Sequence, residues 1–307
     1  MNTLKHIGLI LALLATKGML GQMPDTDIWM FDVHSTYDSA KRMMQYSFAN
    51  ALNFTNRPGY DNQPVFSPDG KSILYTSYRE DGQSDIYRYD IVTKTTSAFC
   101  KTPESEYSPA FTPDGKYVSV VRVEKDSTQR LWKFPVKGGA PVLVMKDVAK
   151  IGYYAWINSD SLLVFLLTNP ESLQAVDVKT QKLHFLAAKP GRCFYASEKG
   201  VTYLSKADSA NWRFDYINYS GIKNTQLGLC KPPAITPDHE DFLQWMNEEA
   251  TLLFMGKGSI LFQYYPSQNS NRAECKALQD FSSLGLKNIT RLAISKDGKK
   301  IAIVGSH

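Results

Sequence analysis

The sequence predicts an all-β fold: a six-bladed β-propeller with four-stranded antiparallel blades, the last blade shared between the N- and C-terminal parts of the chain. Three observations carry this expectation. One short turn flanked by apolar runs recurs at a fixed period, each period holds four short strands, and each end of the chain supplies half of a unit.

The marker turn is Pro68–Asp69–Gly70, repeated as Pro113–Asp114–Gly115 and as Lys296–Asp297–Gly298. The first two aspartates lie 45 residues apart and the last two 183 apart, which is four steps of about 46. Three worn copies are therefore expected between them. They are Tyr153–Leu167 with its turn at Asn158–Ser161, Cys193–Ser205 with its turn at Glu198–Gly200, and Phe242–Met255 with its turn at Asn247–Ala250. Proline presets φ for the first corner of a type I turn, aspartate bonds its own local backbone, and glycine takes the positive φ that finishes a tight hairpin. The apolar runs on either side form the inner two strands of a blade.

Each unit has a second half. Asp85–Ile91 (DIYRYDI) and Thr96–Lys101 follow the first hairpin, and Arg130–Val136 and Pro141–Lys146 follow the second. The next three units use Leu173–Val178 with Leu183–Ala187, Trp212–Tyr219 with Asn224–Leu229, and Ile260–Tyr265 with Ala273–Leu278. The C-terminal copy, Ile289–Gly305, stops after two strands, while Asp27–Val33 (DIWMFDV) repeats the third-strand pattern and Phe48–Thr55 supplies a fourth. Joined, they close the ring without an open sheet edge between the first and last blades. The expected blades are 58–103, 104–148, 149–190, 191–233, 234–286, and a closing blade built from 25–57 with 287–307. His34–Tyr46 is longer than the matching turns and is expected to be a short helix or a loop on the rim. The 17 Tyr, 15 Phe and 5 Trp suit a pleated, half-buried surface.

Residues 1–21 read as an export signal: Lys5, then the apolar run Ile7–Ala15, then a small residue, Gly21, before Gln22. Nine apolar residues are too few to span a bilayer, which needs about 20. Removing this segment lowers the formal charge from +5 to +3, with no Lys/Arg run, so no nucleic-acid partner is expected. Residues 22–307 are expected to form one domain, a monomer without a membrane span, found in the periplasm or secreted.

The stretch FSPDGKSILYTSYREDGQSDIYRYDI, Phe66–Ile91, resembles the WD40-like (PD40) repeat of exported TolB-type propellers, through Ser67–Gly70, Ser77, Arg79, Gly82 and Asp85–Tyr87. The lead-in Asn56–Tyr60 matches as well. The resemblance is close in the first two units, good in the last and faint in the middle three. It implies a non-catalytic module that binds a protein or peptide in the cell envelope. The α/β domain that precedes the propeller in TolB has no counterpart between the apparent signal and Asp27.

Catalytic signatures are missing. There is no GxSxG elbow, Ser67–Gly70 departs from the SxDxGxTW turn of sialidase-type propellers, and no HExxH occurs. Cys100, Cys193, Cys230 and Cys275 form no CxxC pair. The strand map separates Cys193 and Cys230 by three strand spacings, about 14 Å, too far for a disulfide whose Cα atoms must lie within about 7 Å. No disulfide, cofactor, metal or catalytic residue is expected. His239, in the polar run Asp238–Asp241, reads as part of a solvated loop.

Propeller geometry gathers the loops between successive blades around one mouth of the central channel. These loops carry Tyr60, Asp61, Glu106, Tyr107, Tyr153, Arg192, His239, Glu240 and Asp241. Aromatic and charged groups converging on a concave mouth suit a peptide or small-ligand site. Two other readings are an enzyme acting on polysaccharide, a lyase or hydrolase, at the same mouth, and a structural scaffold of an envelope assembly.

Overall fold

The computed structural model describes residues 23–39, 43–197, 199–209, 212–219, 223–226, 241–246, 251–265 and 274–306. The apparent export signal, His239, Glu240 and Cys230 lie outside the described residues.

The repeated turn explains why the inner hairpins form. Asp69, Asp114 and Asp297 each accept a hydrogen bond at 2.6 Å from the hydroxyl two residues earlier, on Ser67, Thr112 and Ser295. Each also accepts the backbone N–H two residues later, at 3.0–3.1 Å. Gly70, Gly115 and Gly298 sit at φ of 68°, 67° and 71°, where a side chain would be strained. These hydrogen bonds hold the three carboxyls below the usual aspartate range.

Among the described residues there are six sheets, each of four antiparallel strands. The closing blade contributes β1 (Asp27–Asp38) and β2 (Met43–Asn53) from the N-terminal side. Blade 1 is β3 (Asp61–Phe66), β4 (Ser72–Tyr78), β5 (Ser84–Asp90) and β6 (Thr95–Cys100). Blade 2 is β7 (Ser105–Phe111), β8 (Tyr117–Val123), β9 (Gln129–Pro135) and the two-residue β10 (Val142–Leu143). Blade 3 is β11 (Ile151–Asn158), β12 (Ser161–Leu166), β13 (Ser172–Asp177) and β14 (Leu183–Ala188). Blade 4 is β15 (Pro190–Ala196), β16 (Gly200–Ser205), β17 (Arg213–Asn218) and β18 (Lys223–Gln226). Blade 5 is β19 (Phe242–Met246), β20 (Thr251–Lys257), β21 (Ile260–Tyr265) and β22 (Glu274–Asp280). A single turn of 3-10 helix at Ser282–Leu284 leads to β23 (Lys287–Ile294) and β24 (Lys300–Ser306), which complete the closing blade in the order β2-β1-β24-β23.

The seam between the chain ends is antiparallel pairing of β1 with β24, from Asp27 opposite Gly305 to Asp32 opposite Lys300. The structure thus shows the shared closing blade that the terminal half-units predict.

The core is the set of spaces between blades. Ile73 and Tyr75 pack with Ile28, Met30, Ala302 and Val304 of the closing blade, whereas Leu74 faces Val118 and Val120 of blade 2. Successive side chains of one strand thus enter different inter-blade layers. Middle strands buried on both faces read as unbroken apolar runs, as in Ile301–Val304.

Two outer regions differ from the expectation. Residues 34–46 form neither a helix nor a rim loop where they are described. β1 and β2 remain paired out to Asp38 opposite Met43, six residues beyond the last partner of β24. This overhang is held because Tyr46 and Phe48 turn onto blade 5, Tyr46 edge-on to Phe254 at 5.3 Å and Phe48 to Phe281 at 6.1 Å. β10 is shorter than the expected Pro141–Lys146: past Leu143 the chain turns inward, and Met145 and Val148 are buried beside Leu131 and Ile151.

Candidate functional site at the channel mouth

The inner strands β3, β7, β11, β15, β19 and β23 surround the axis. Five of them break register near the mouth: at Asn62/Val65, Tyr107/Ala110, Ile151/Tyr153, Pro190/Phe194 and Lys287/Arg291. A bulge bends its strand and re-aims side chains. Gln63 and Ser108 occupy equivalent bulges with φ of 57° and 53°, and the Gln63 Oε1 accepts hydrogen bonds from Thr76 Oγ1 and from the Ser108 N–H, both at 2.7 Å. This ties blade 1 to blade 2 at the channel wall.

Two cavities result. The outer one, about 480 Å³, is lined by Tyr60, Asn62, Tyr153, Arg192, Thr290 and Arg291 among others. The deeper one, about 230 Å³, touches all six blades and shares Tyr153, Arg192 and Arg291 with the outer one. Asp241 lines the deeper cavity and is 6% exposed. Its Oδ1 accepts from Arg192 Nε at 3.0 Å, and its Oδ2 lies 3.3 Å from an amino nitrogen of Arg291. The other Arg291 amino group reaches the Tyr153 hydroxyl at 3.4 Å, with the guanidinium 5.3 Å from that ring. Burial works most strongly against the Arg291 cation, but Asp241 together with Tyr153 and Tyr60 more than offsets it and holds its pKa above the ordinary value. Burial pushes the Tyr60 phenol up to about 12, so it keeps its proton at neutral pH. The Thr290 hydroxyl is buried without a partner.

The structure thus brings Tyr60, Tyr153, Arg192 and Asp241 together. Tyr107 lies one residue before its bulge and close enough to Tyr60 to act on it electrostatically. Asp61 and Glu106 line neither cavity, because their side chains are fully buried within ion pairs. Asp61 is held by Arg57 at 2.9 Å, and the same Arg57 amino group donates to Ser77 Oγ and the Tyr78 carbonyl. Burial raises the Asp61 pKa against the pull of Arg57. Glu106 lies opposite Arg122 across the β7–β8 pair and accepts from Arg122 Nε at 3.0 Å and from Thr102 Oγ1 at 2.6 Å. Burial raises Glu106 to about 7 despite these bonds.

Arg291 and Thr290 escape the sequence reading, which ends the last inter-blade loop at Ile289. The signal was one arginine inside the otherwise apolar end of an inner strand, Leu292–Ile294 following directly. Cys100 and Cys193 are free thiols. Burial raises the Cys193 thiol, whose Sγ lies 3.1 Å from the Phe242 carbonyl, so it is poorly suited to act as a nucleophile. Among the described residues no group of three or more His, Cys, Asp or Glu is placed to hold a metal ion, and no helix is long and apolar enough to cross a membrane.

No protein-family model and no curated protein sequence matches the chain. Solved structures do. A TolB structure from Agrobacterium tumefaciens superposes with a TM-score of 0.59 at 12% identity, covering 92% of this chain and 98% of that one. TolB from Acinetobacter baumannii gives 0.56 at 14% identity, over 83% of this chain and 64% of that one. An oligogalacturonate lyase in complex with manganese gives 0.51 at 14% identity, over 90% and 78%. The chain is therefore similar in fold to the two TolB structures, and it also superposes on about three quarters of a lyase.

Proposed function

We propose that the chain is a non-catalytic, exported binding module that takes a segment of a protein or peptide partner into the mouth of its central channel. The observation that carries this reading is the outer cavity, where Tyr60, Tyr153, Arg192 and Arg291 from four different blades converge above a narrower continuation. Its volume suits a few residues of an extended chain. Tyrosine and arginine are the side chains that most often dominate binding energy, because each offers large contact area with a polar end. The likeness in fold to the TolB structures and the apolar segment ahead of Gln22 both support a place in the cell envelope, in the periplasm or beyond it.

Affinity capture from the organism's own envelope fraction tests this. The chain should retain a reproducible protein set, identified by mass spectrometry, and Arg192→Ala should reduce that retention about tenfold or more. Arg291 still pairs Asp241 in that variant, so the ring is expected to stay folded. Retention unchanged by the substitution, or turnover of an acidic polysaccharide that Arg192→Ala abolishes, would point to another surface or to an enzyme.

A further inference from the structure

We infer that the mouth recognises its partner through a carboxylate, held by Arg291 and Arg192 with the Tyr60 and Tyr153 hydroxyls as additional donors. This rests on the peptide-binding reading above and specifies which chemical group the mouth selects.

The charged residues among the described lining of the outer cavity are Arg192 and Arg291. The carboxylate that balances them, Asp241, lies one layer deeper and is shared between both guanidiniums. A guanidinium has five N–H donors in a planar fork that fits a carboxylate in two-point fashion. Arg291 directs one amino group at Asp241 and the other at Tyr153, and it faces both cavities. Because Tyr153 accepts that hydrogen bond, its own O–H is left to donate. Tyr60 lines the same cavity, 8% exposed, and the unpartnered Thr290 hydroxyl lies beside Arg291. A second anion seated above Asp241 would meet cations and neutral donors. A cationic side chain would meet two guanidiniums and no unshared acid among the described residues, a repulsive arrangement that selects against it.

The carboxylate can come from an acidic side chain or from a free chain end. Randomised hexapeptide pools separate these sources when titrated against the full chain by calorimetry. One pool has a free C-terminus and no Asp or Glu, a second has both ends capped and one Glu, and a third has both ends capped with Gln in place of Glu. A galacturonate hexamer serves as a non-peptide carboxylate. The inference predicts binding of the first or second pool at least tenfold tighter than the third. It also predicts that Arg291→Gln and Tyr60→Phe each weaken that binding, the former by about tenfold or more. Should Arg291→Gln fail to fold, Arg192→Gln carries the same readout. Equal binding of all three pools overturns the carboxylate inference and leaves the peptide reading standing. Binding of the galacturonate hexamer alone overturns the peptide reading on which the inference rests, and binding of no probe overturns both.

Discussion

Replacing Arg122 by leucine should destabilise the fold by about 3–5 kcal/mol at pH 8, the usual cost of removing one partner from a buried ion pair. Arg122 is 5% exposed, lies over the Trp132 ring at 4.4 Å, and pairs with Glu106 at 3.0 Å and Glu104 at 3.2 Å. Leucine retains part of the packing but leaves Glu106 fully buried with Thr102 as its remaining side-chain donor. The loss should be smaller at pH 5, where Glu106 binds a proton. The wild-type chain should show a weaker form of the same dependence. The folded pKa of Glu106, about 7, lies above its ordinary 4.5, so the folded state binds more protons between those values. Its contribution to stability is then fully present below about pH 4.5 and is lost as pH rises through 7. Glu106→Gln should flatten that part of the profile. Urea titrations at pH 5 and pH 8 check both variants. Equal stability of wild type and Arg122→Leu at pH 8 would show that the pair contributes little.

Phe31→Ala should cost a similar amount, about 3–5 kcal/mol, for a different reason. Phe31 is 1% exposed and packs on Phe281 with ring centroids 4.7 Å apart. Its layer joins β1 and β24 of the closing blade to Leu243, Phe254 and Leu261 of blade 5. The alanine leaves a cavity where the N-terminal strands are fastened to the rest of the ring. Denaturant unfolding followed by tryptophan fluorescence measures the loss. A change under about 1 kcal/mol would mean that this layer relaxes into the space or contributes little to closure.

These residues also show what a sequence makes legible. The turns at Asp69, Asp114 and Asp297 announce themselves because local hydrogen bonds and a left-handed glycine define them, and both depend on residues adjacent in the chain. The seam was legible for a related reason: Asp27–Val33 repeats the pattern of Asp85–Ile91, and each half-unit lacks the strands that the other holds. The mouth was only half legible. Inter-blade loops name the right neighbourhood, and Tyr60, Tyr153, Arg192 and Asp241 are there. But strand alternation and the bulges decide which side chain faces the axis, and neither follows from loop position. Glu106 turns into the layer between blades because its cross-strand partner is Arg122, whereas Arg291 reaches the axis from within a strand. The β1–β2 overhang was illegible because what holds Tyr46 and Phe48 is contact with Phe254 and Phe281, more than two hundred residues away in the chain.

Site-specific photo-crosslinking in the organism's own envelope tests the central claim, that the channel mouth is the binding surface, most directly. A photoreactive residue at Met23, which lines the outer cavity, should form covalent adducts with a discrete protein partner. The same residue at Phe185, 63% exposed on the outermost strand of blade 3, should form few. Adducts from Phe185 with none from Met23 would contradict the account and move the binding surface to the outer edge of the ring.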